Sequence, residues 1–148
     1  MSQNAKQSAT QDQTRIDDVR IKAVRPLITP AILEEWLPAS ASAQKLVEGS
    51  RAAISKVLHG GDDRLIVVVG PCSIHDSEQA LEYARLLQTE AEQYAQDLLI
   101  VMRVYFEKPR TTVGWKGFIN DPYLDGSFRI DEGLRMARQL LLEINQMG

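Results

Sequence analysis

Leu65-Ile-Val-Val-Val69 sets five branched aliphatic side chains in succession, and this run limits the possible folds more than any other feature of the chain. A strand points successive side chains to opposite faces, so an unbroken apolar run fits a sheet covered on both sides, as parallel sheets are by helices. Leu98 to Tyr105 has the same character. Between them Ala80, Leu81, Ala84, Leu87, Ala91 and Tyr94 recur at three- and four-residue steps, with Asp76 or Ser77 placed to cap the helix they imply. Strand, helix, strand predicts a parallel pair joined by a right-handed crossover, and hence an α/β fold.

The flanking segments divide the chain further. Residues 1–15 are mostly Gln, Ser, Asn, Thr and Ala, a composition that buries too little apolar surface to offset ordering entropy, and so predicts a disordered tail. From Ile16 the mixture of alternating apolar and charged residues reads as an extended arm. Thr29-Pro30 is an N-cap followed by Pro at the first helical position, which predicts a helix to Trp36 stopped by Pro38. A second helix is expected from about Ser42 to Leu58, with Leu46, Val47, Ile54, Val57 and Leu58 inward and Gly60-Gly61 ending it. A third core helix is expected from about Asp131 to Asn145, with Leu134, Ala137, Leu140, Leu141 and Ile144 on one side.

Charge and cysteine content exclude several roles. The net charge of −3 comes with no Lys/Arg-rich block, so nucleic acid is not an expected partner. No apolar run is long enough to span a bilayer. A single cysteine forms no internal disulfide, and with no signal-like N-terminus this fits a reducing cytoplasm.

Two strand ends concentrate the residues able to do chemistry. In Gly70-Pro-Cys-Ser-Ile-His-Asp76 the only cysteine and one of two histidines stand three apart. Cys72 could ligate a metal, act as a nucleophile activated by His75, or simply pack, and spacing alone leaves all three open. After the second strand come Arg103, Lys108 and Arg110, followed by a connection from Phe106 to Ser127 that is far longer than the usual two to six residues. Three cations at the carboxyl end of a strand suggest an anionic ligand, and a charge on a buried strand, as Arg103 would be, must be paired or ligated. The alternative is that Glu107 neutralises one of them and the rest form a solvated rim. Trp115, Lys116 and Gly117 would then be either a lid or packing.

Gly70 to Asp76 and Met102-Arg-Val-Tyr-Phe-Glu-Lys-Pro-Arg-Thr-Thr-Val-Gly-Trp-Lys-Gly117, followed by Ile119-Asn-Asp-Pro122, closely resemble the bacterial, feedback-regulated type I 3-deoxy-D-arabino-heptulosonate 7-phosphate synthases. The resemblance implies a (β/α)8 TIM barrel, with residues 63–148 forming the first two β/α units and residues 16–62 an arm and helices for regulation and oligomerisation. It implies a transferase of the shikimate pathway, which leads to chorismate and the aromatic amino acids, condensing phosphoenolpyruvate with erythrose 4-phosphate and releasing phosphate. By that resemblance Cys72 is a ligand to a divalent metal (Mn, Fe, Co or Zn), Arg103 and Lys108 contact phosphoenolpyruvate, and Arg110 and Thr111 face erythrose 4-phosphate. Lys108 is also the candidate proton donor to the forming alkoxide, while His75 matches no ligand. Asp17, Asp18, Arg20 and Ile21 fall in the stretch that forms part of an inhibitory aromatic amino acid site against a neighbouring subunit of a homo-oligomer.

A complete barrel of this kind needs about 250 residues. The chain is therefore expected to hold only the first part of the site and to be inactive alone. The alternative is a non-catalytic module that binds a full-length synthase subunit.

Overall fold

The structure, a computed structural model, describes residues 20–21, 24–107 and 114–148. Six elements follow in order: α1 (Pro30–Trp36), α2 (Ala41–Leu58), β1 (Leu65–Val69), α3 (Ser77–Gln93), β2 (Leu98–Met102) and α4 (Ile130–Met147). The expected tail over residues 1–15 lies outside the described residues.

Local chemistry explains most boundaries. Pro30 opens α1 with its φ already helical and no N–H to satisfy. Ser40 caps α2, its hydroxyl accepting from Ala43 N at 3.2 Å, and Gly60 and Gly61 close it by donating to the Val57 and Lys56 carbonyls. Asp76 caps α3, one carboxylate oxygen accepting from Glu78 N at 2.8 Å and Gln79 N at 3.1 Å.

β1 and β2 pair in parallel, from Leu65 opposite Leu98 to Val69 opposite Met102. The α/β reading and the parallel crossover are thus observed. Two expectations about the strands are corrected. β2 ends at Met102 instead of Tyr105, because the ladder stops where β1 runs into Gly70-Pro71. Nor is β1 covered on both faces, since Leu65 is 66% and Val68 63% exposed. The sheet has two strands among the described residues, α3 packs on β2, and α2 touches β1 only lightly, so much of β1 faces outward.

The core lies between α3, α4 and the carboxyl end of β2. Ile74, Ala80 and Leu140 are buried there, with Leu81, Val104, Phe106 and Ile144 packed around them. Ala137 is buried on the expected face of α4, whereas Leu58 is exposed at the end of α2 and Leu141 is exposed in an open groove between α4 and α2. Tyr94 is likewise exposed, at the end of α3. Gly133 lets α4 approach the preceding loop: a Cβ there would fall inside the Ile119 carbonyl. Segments distant in sequence are tied to α4 as well. Ile28 N donates to Asp131 Oδ1 at 2.8 Å, and Arg138 Nε donates to the Leu37 carbonyl at 2.7 Å.

Candidate functional site

The carboxyl ends of β1 and β2 meet in direct contact. Arg103 N donates to the Val69 carbonyl at 2.8 Å, carrying strand-like pairing one step beyond β2. Gly70 sits against this crossing, and a Cβ on it would collide with the Arg103 carbonyl. The Arg103 side chain then turns back, Nη2 donating to the Pro71 carbonyl at 2.7 Å, with its guanidinium 5.7 Å from the centre of the Tyr105 ring. Further on, Ile74 N donates to the Tyr105 carbonyl at 2.8 Å. The Cys72 turn is therefore fastened on both sides to the segment that follows β2.

Arg103 is exposed instead of buried within a strand, a correction that follows from the early end of β2. Burial does not force it to be paired. Its fork has five N–H donors and the described residues occupy one of them, so it retains donors for a carboxylate or phosphate.

Cys72 is a free, exposed thiol at this junction and His75 is exposed beside it, whereas Ile74 between them is buried. The turn thus sends its apolar residue into the core and its polar ones outward. The Ser73 hydroxyl is buried without a partner among the described residues. A divalent ion requires several donors, and the described residues contain no group of three or more His, Cys, Asp or Glu side chains able to hold one. They do not by themselves make a metal centre. Cys72 offers a single sulfur donor.

Lys108, Arg110 and Thr111 lie outside the described residues, as do Asp17 and Asp18. Arg20 and Ile21 are described and exposed. The segments on either side of residues 108–113 are held together. Glu107 and Gly117 form an antiparallel bridge, Phe118 N donates to the Phe106 carbonyl at 2.7 Å, and Asn120 Nδ2 donates to Glu107 Oε1 at 3.2 Å. Glu107, offered as an alternative partner for the neighbouring cations, accepts from a neutral amide among the described residues, while Lys108 and Arg110 lie outside them. Phe106 and Phe118 stack with centroids 5.9 Å apart, and Phe118 is 1% exposed. Trp115 donates from Nε1 to the Asp121 carbonyl at 2.8 Å, which makes it an anchored, half-buried side chain.

Asp121 went unnoticed as a candidate in the sequence. It is the one buried charged residue among those described, 6% exposed, and its Oδ2 accepts from Gly126 N at 3.1 Å while Oδ1 is buried with no hydrogen-bond partner found among the described residues. The signal was available in the motif, where Asp followed by Pro in a long connection favours a side-chain-closed turn. Two hollows lie elsewhere: a cleft of about 690 Å³ that includes Arg25, Phe128 and Arg129, and a groove of about 780 Å³ that includes Val47, Arg138 and Leu141. No described helix is long and apolar enough to cross a membrane.

Comparison with known proteins adds to this geometry. Residues 37–145 match the family model described as the DAHP synthetase I family. The chain is 58% identical over 132 residues to the Phe-sensitive phospho-2-dehydro-3-deoxyheptonate aldolase of Escherichia coli K12, covering 89% of this chain and 38% of that protein. It is 55% identical over 133 residues to the phospho-2-dehydro-3-deoxyheptonate aldolase of Amycolatopsis methanolica, covering 90% of this chain and 66% of the relative. The names of other relatives describe them as tyrosine-inhibited or Trp-sensitive. The solved structure of the Francisella tularensis SCHU S4 aldolase superposes with a TM-score of 0.83 at 51% identity, over 86% of this chain and 37% of that one.

Proposed function

The chain belongs to the DAHP synthetase I family, and from that membership we propose that it carries part of a site for condensing phosphoenolpyruvate with erythrose 4-phosphate, the first step toward the aromatic amino acids. It spans 37–38% of the Escherichia coli and Francisella relatives, so the reaction is proposed for a protein of their kind, to which this chain contributes one portion. In that setting β1, α3, β2 and α4 are the first two β/α units of a TIM barrel over residues 63–148, and residues 16–62 are its regulatory arm and helices.

The observation that carries the proposal is the junction of the Cys72 turn with Arg103 through the Pro71 carbonyl. It places a cationic fork and a thiol at the carboxyl ends of adjacent parallel strands, where α/β proteins gather ligands. Arg103 retains donors for the carboxylate or phosphate of phosphoenolpyruvate, and its contact with the main chain limits the rotamer freedom lost on binding. Lys108, Arg110 and Thr111 complete the binding of the two phosphorylated substrates. Holding both anions at fixed separation converts a two-body encounter into reaction within one complex. C3 of phosphoenolpyruvate then forms the new bond to the aldehyde carbon as its C2–C3 double bond opens, and Lys108 gives a proton to the resulting alkoxide. Water adds to the electron-deficient C2, whose bond to the phosphate oxygen then breaks to release inorganic phosphate. Cys72 is proposed as one sulfur donor to a divalent ion, and Asp17, Asp18, Arg20 and Ile21 as part of an aromatic amino acid effector site in a homo-oligomer.

Titration of the chain with phosphoenolpyruvate tests the proposal. Arg103→Ala is expected to weaken binding about tenfold or more, the scale of a lost charge-assisted hydrogen bond. Equal affinity of the variant and the unmodified chain would overturn the assignment of Arg103.

The open faces of β1 favour a second reading, in which the chain docks on a full-length synthase subunit without catalysing anything. Co-purification with such a subunit, together with no phosphoenolpyruvate binding by the chain alone, would establish it in place of the first.

A further inference from the structure

We infer that Asp121 is a positioning residue, whose carboxylate fixes the returning half of the connection between β2 and α4 and thereby the base of the proposed anion-binding segment. This rests on the proposed reading of the strand-end site. The argument begins with a conformation that the chain would not adopt unaided. Leu124 has φ of 56°, in the left-handed region that a branched apolar residue rarely enters. The bond from Gly126 N to Asp121 Oδ2 closes the short ring containing Leu124, so the carboxylate helps hold the strained turn in place.

That fixed turn is then passed along the chain through successive contacts. Asp121 N donates to the Gly117 carbonyl at 3.0 Å, and the Asp121 carbonyl accepts from Trp115 Nε1 at 2.8 Å. Gly117 is bridged to Glu107, and its neighbour Phe118 is bonded to Phe106. A continuous path therefore runs from Gly126 through Asp121 and Gly117 to Glu107, where the segment bearing Lys108, Arg110 and Thr111 departs. Neither backbone contact of Asp121 requires a carboxylate: any residue supplies the carbonyl, and any except proline the N–H. The contact to Gly126 needs an acceptor of the reach of Asp or Asn, and Asp121 keeps it although its other carboxylate oxygen is buried with no hydrogen-bond partner among the described residues, an arrangement that costs stability. Retaining a costly buried group at the root of a long loop is understandable if loop geometry is what it secures.

The test uses the full chain carrying Trp36→Phe, a change at a 62% exposed position that leaves Trp115 as the sole tryptophan. Asp121→Ala and Asp121→Asn are compared by Trp115 emission, far-ultraviolet circular dichroism and phosphoenolpyruvate titration. Asp121→Ala is expected to red-shift Trp115 emission and weaken phosphoenolpyruvate binding about tenfold, with helix content unchanged. Asp121→Asn keeps an acceptor for Gly126 N and is expected to restore both readouts to within about twofold of the parent. Unchanged Trp115 emission in Asp121→Ala overturns the inference whatever the binding result, and so does an Asn variant as impaired as the Ala one. Absence of phosphoenolpyruvate binding by the parent overturns the reading of the site instead, while the emission comparison still decides whether Asp121 orders the loop.

Discussion

Asp62 shows how a single half-buried pair can change the response to acid. Arg64 donates to both oxygens of Asp62, the shortest contact being 2.7 Å, and reaches the Ala95 carbonyl with its other terminal nitrogen. These bonds hold the Asp62 carboxyl at about 2, below its ordinary 3.8. A carboxyl depressed on folding stabilises the native state above its ordinary value, and that contribution fades as pH falls toward the folded value. The urea midpoint should therefore decline between about pH 4 and pH 2, and Asp62→Asn should flatten that part of the profile. Identical profiles would show that the pair is not linked to folding. At the same scale, Cys72 and Arg103 could be singled out in the sequence because scarce or charged residues at strand ends stand out. Asp121 was not, because the Asp-Pro pair signals only a turn, and the burial that distinguishes Asp121 has no periodicity to reveal it in a long connection. The open position of Arg103 was hidden for a related reason. Apolar content continues through Val104, Tyr105 and Phe106 after the ladder has ended, so composition alone overextends β2.

The packing of α4 against the loop depends on a residue that helix propensity would disfavour. Gly133 lies in the first turns of the helix, where alanine would be better by about 1 kcal/mol on intrinsic grounds. The Cβ of that alanine would collide with the Ile119 carbonyl and lie 2.8 Å from Ile119 Cα. Both atoms are backbone, so neither can move without displacing the loop. Gly133→Ala is therefore expected to destabilise the chain, the steric cost of about 1–3 kcal/mol outweighing the gain in propensity, as read by thermal or urea unfolding. A stabilised variant would show that the loop is free to retreat. Helices were the most legible elements, since Pro30, Asp76 and the Gly60-Gly61 pair write their limits into the sequence through local chemistry, although the Ser40 cap of α2 lies two residues before the expected start. Which helix faces are covered was less legible: Leu58 and Leu141 fit an apolar stripe, yet both are exposed, because periodicity identifies a face suited to burial without supplying its partner.

At the level of the whole molecule, the outward side chains of β1 determine behaviour in solution. Leu65 and Val68 project from a two-stranded sheet whose outer strand edges are unpaired among the described residues, a surface prone to association. Self-association is expected to rise with concentration in sedimentation velocity, and Val68→Lys is expected to suppress it. A monomer at all concentrations would mean that these side chains are tolerated by water. The (β/α)8 reading came from long motifs in the correct order, whereas the parallel pair itself followed from two apolar runs and the helix between them. The contacts of Ile28 with Asp131 and of Leu37 with Arg138 join points 103 and 101 residues apart. Emerging from the ribosome at about 5–20 residues per second, the first of these segments waits roughly 5–20 s for its partner to be made. Through that interval the Ile28 segment has no native partner to dock on, so translation sets the earliest moment at which this contact can close.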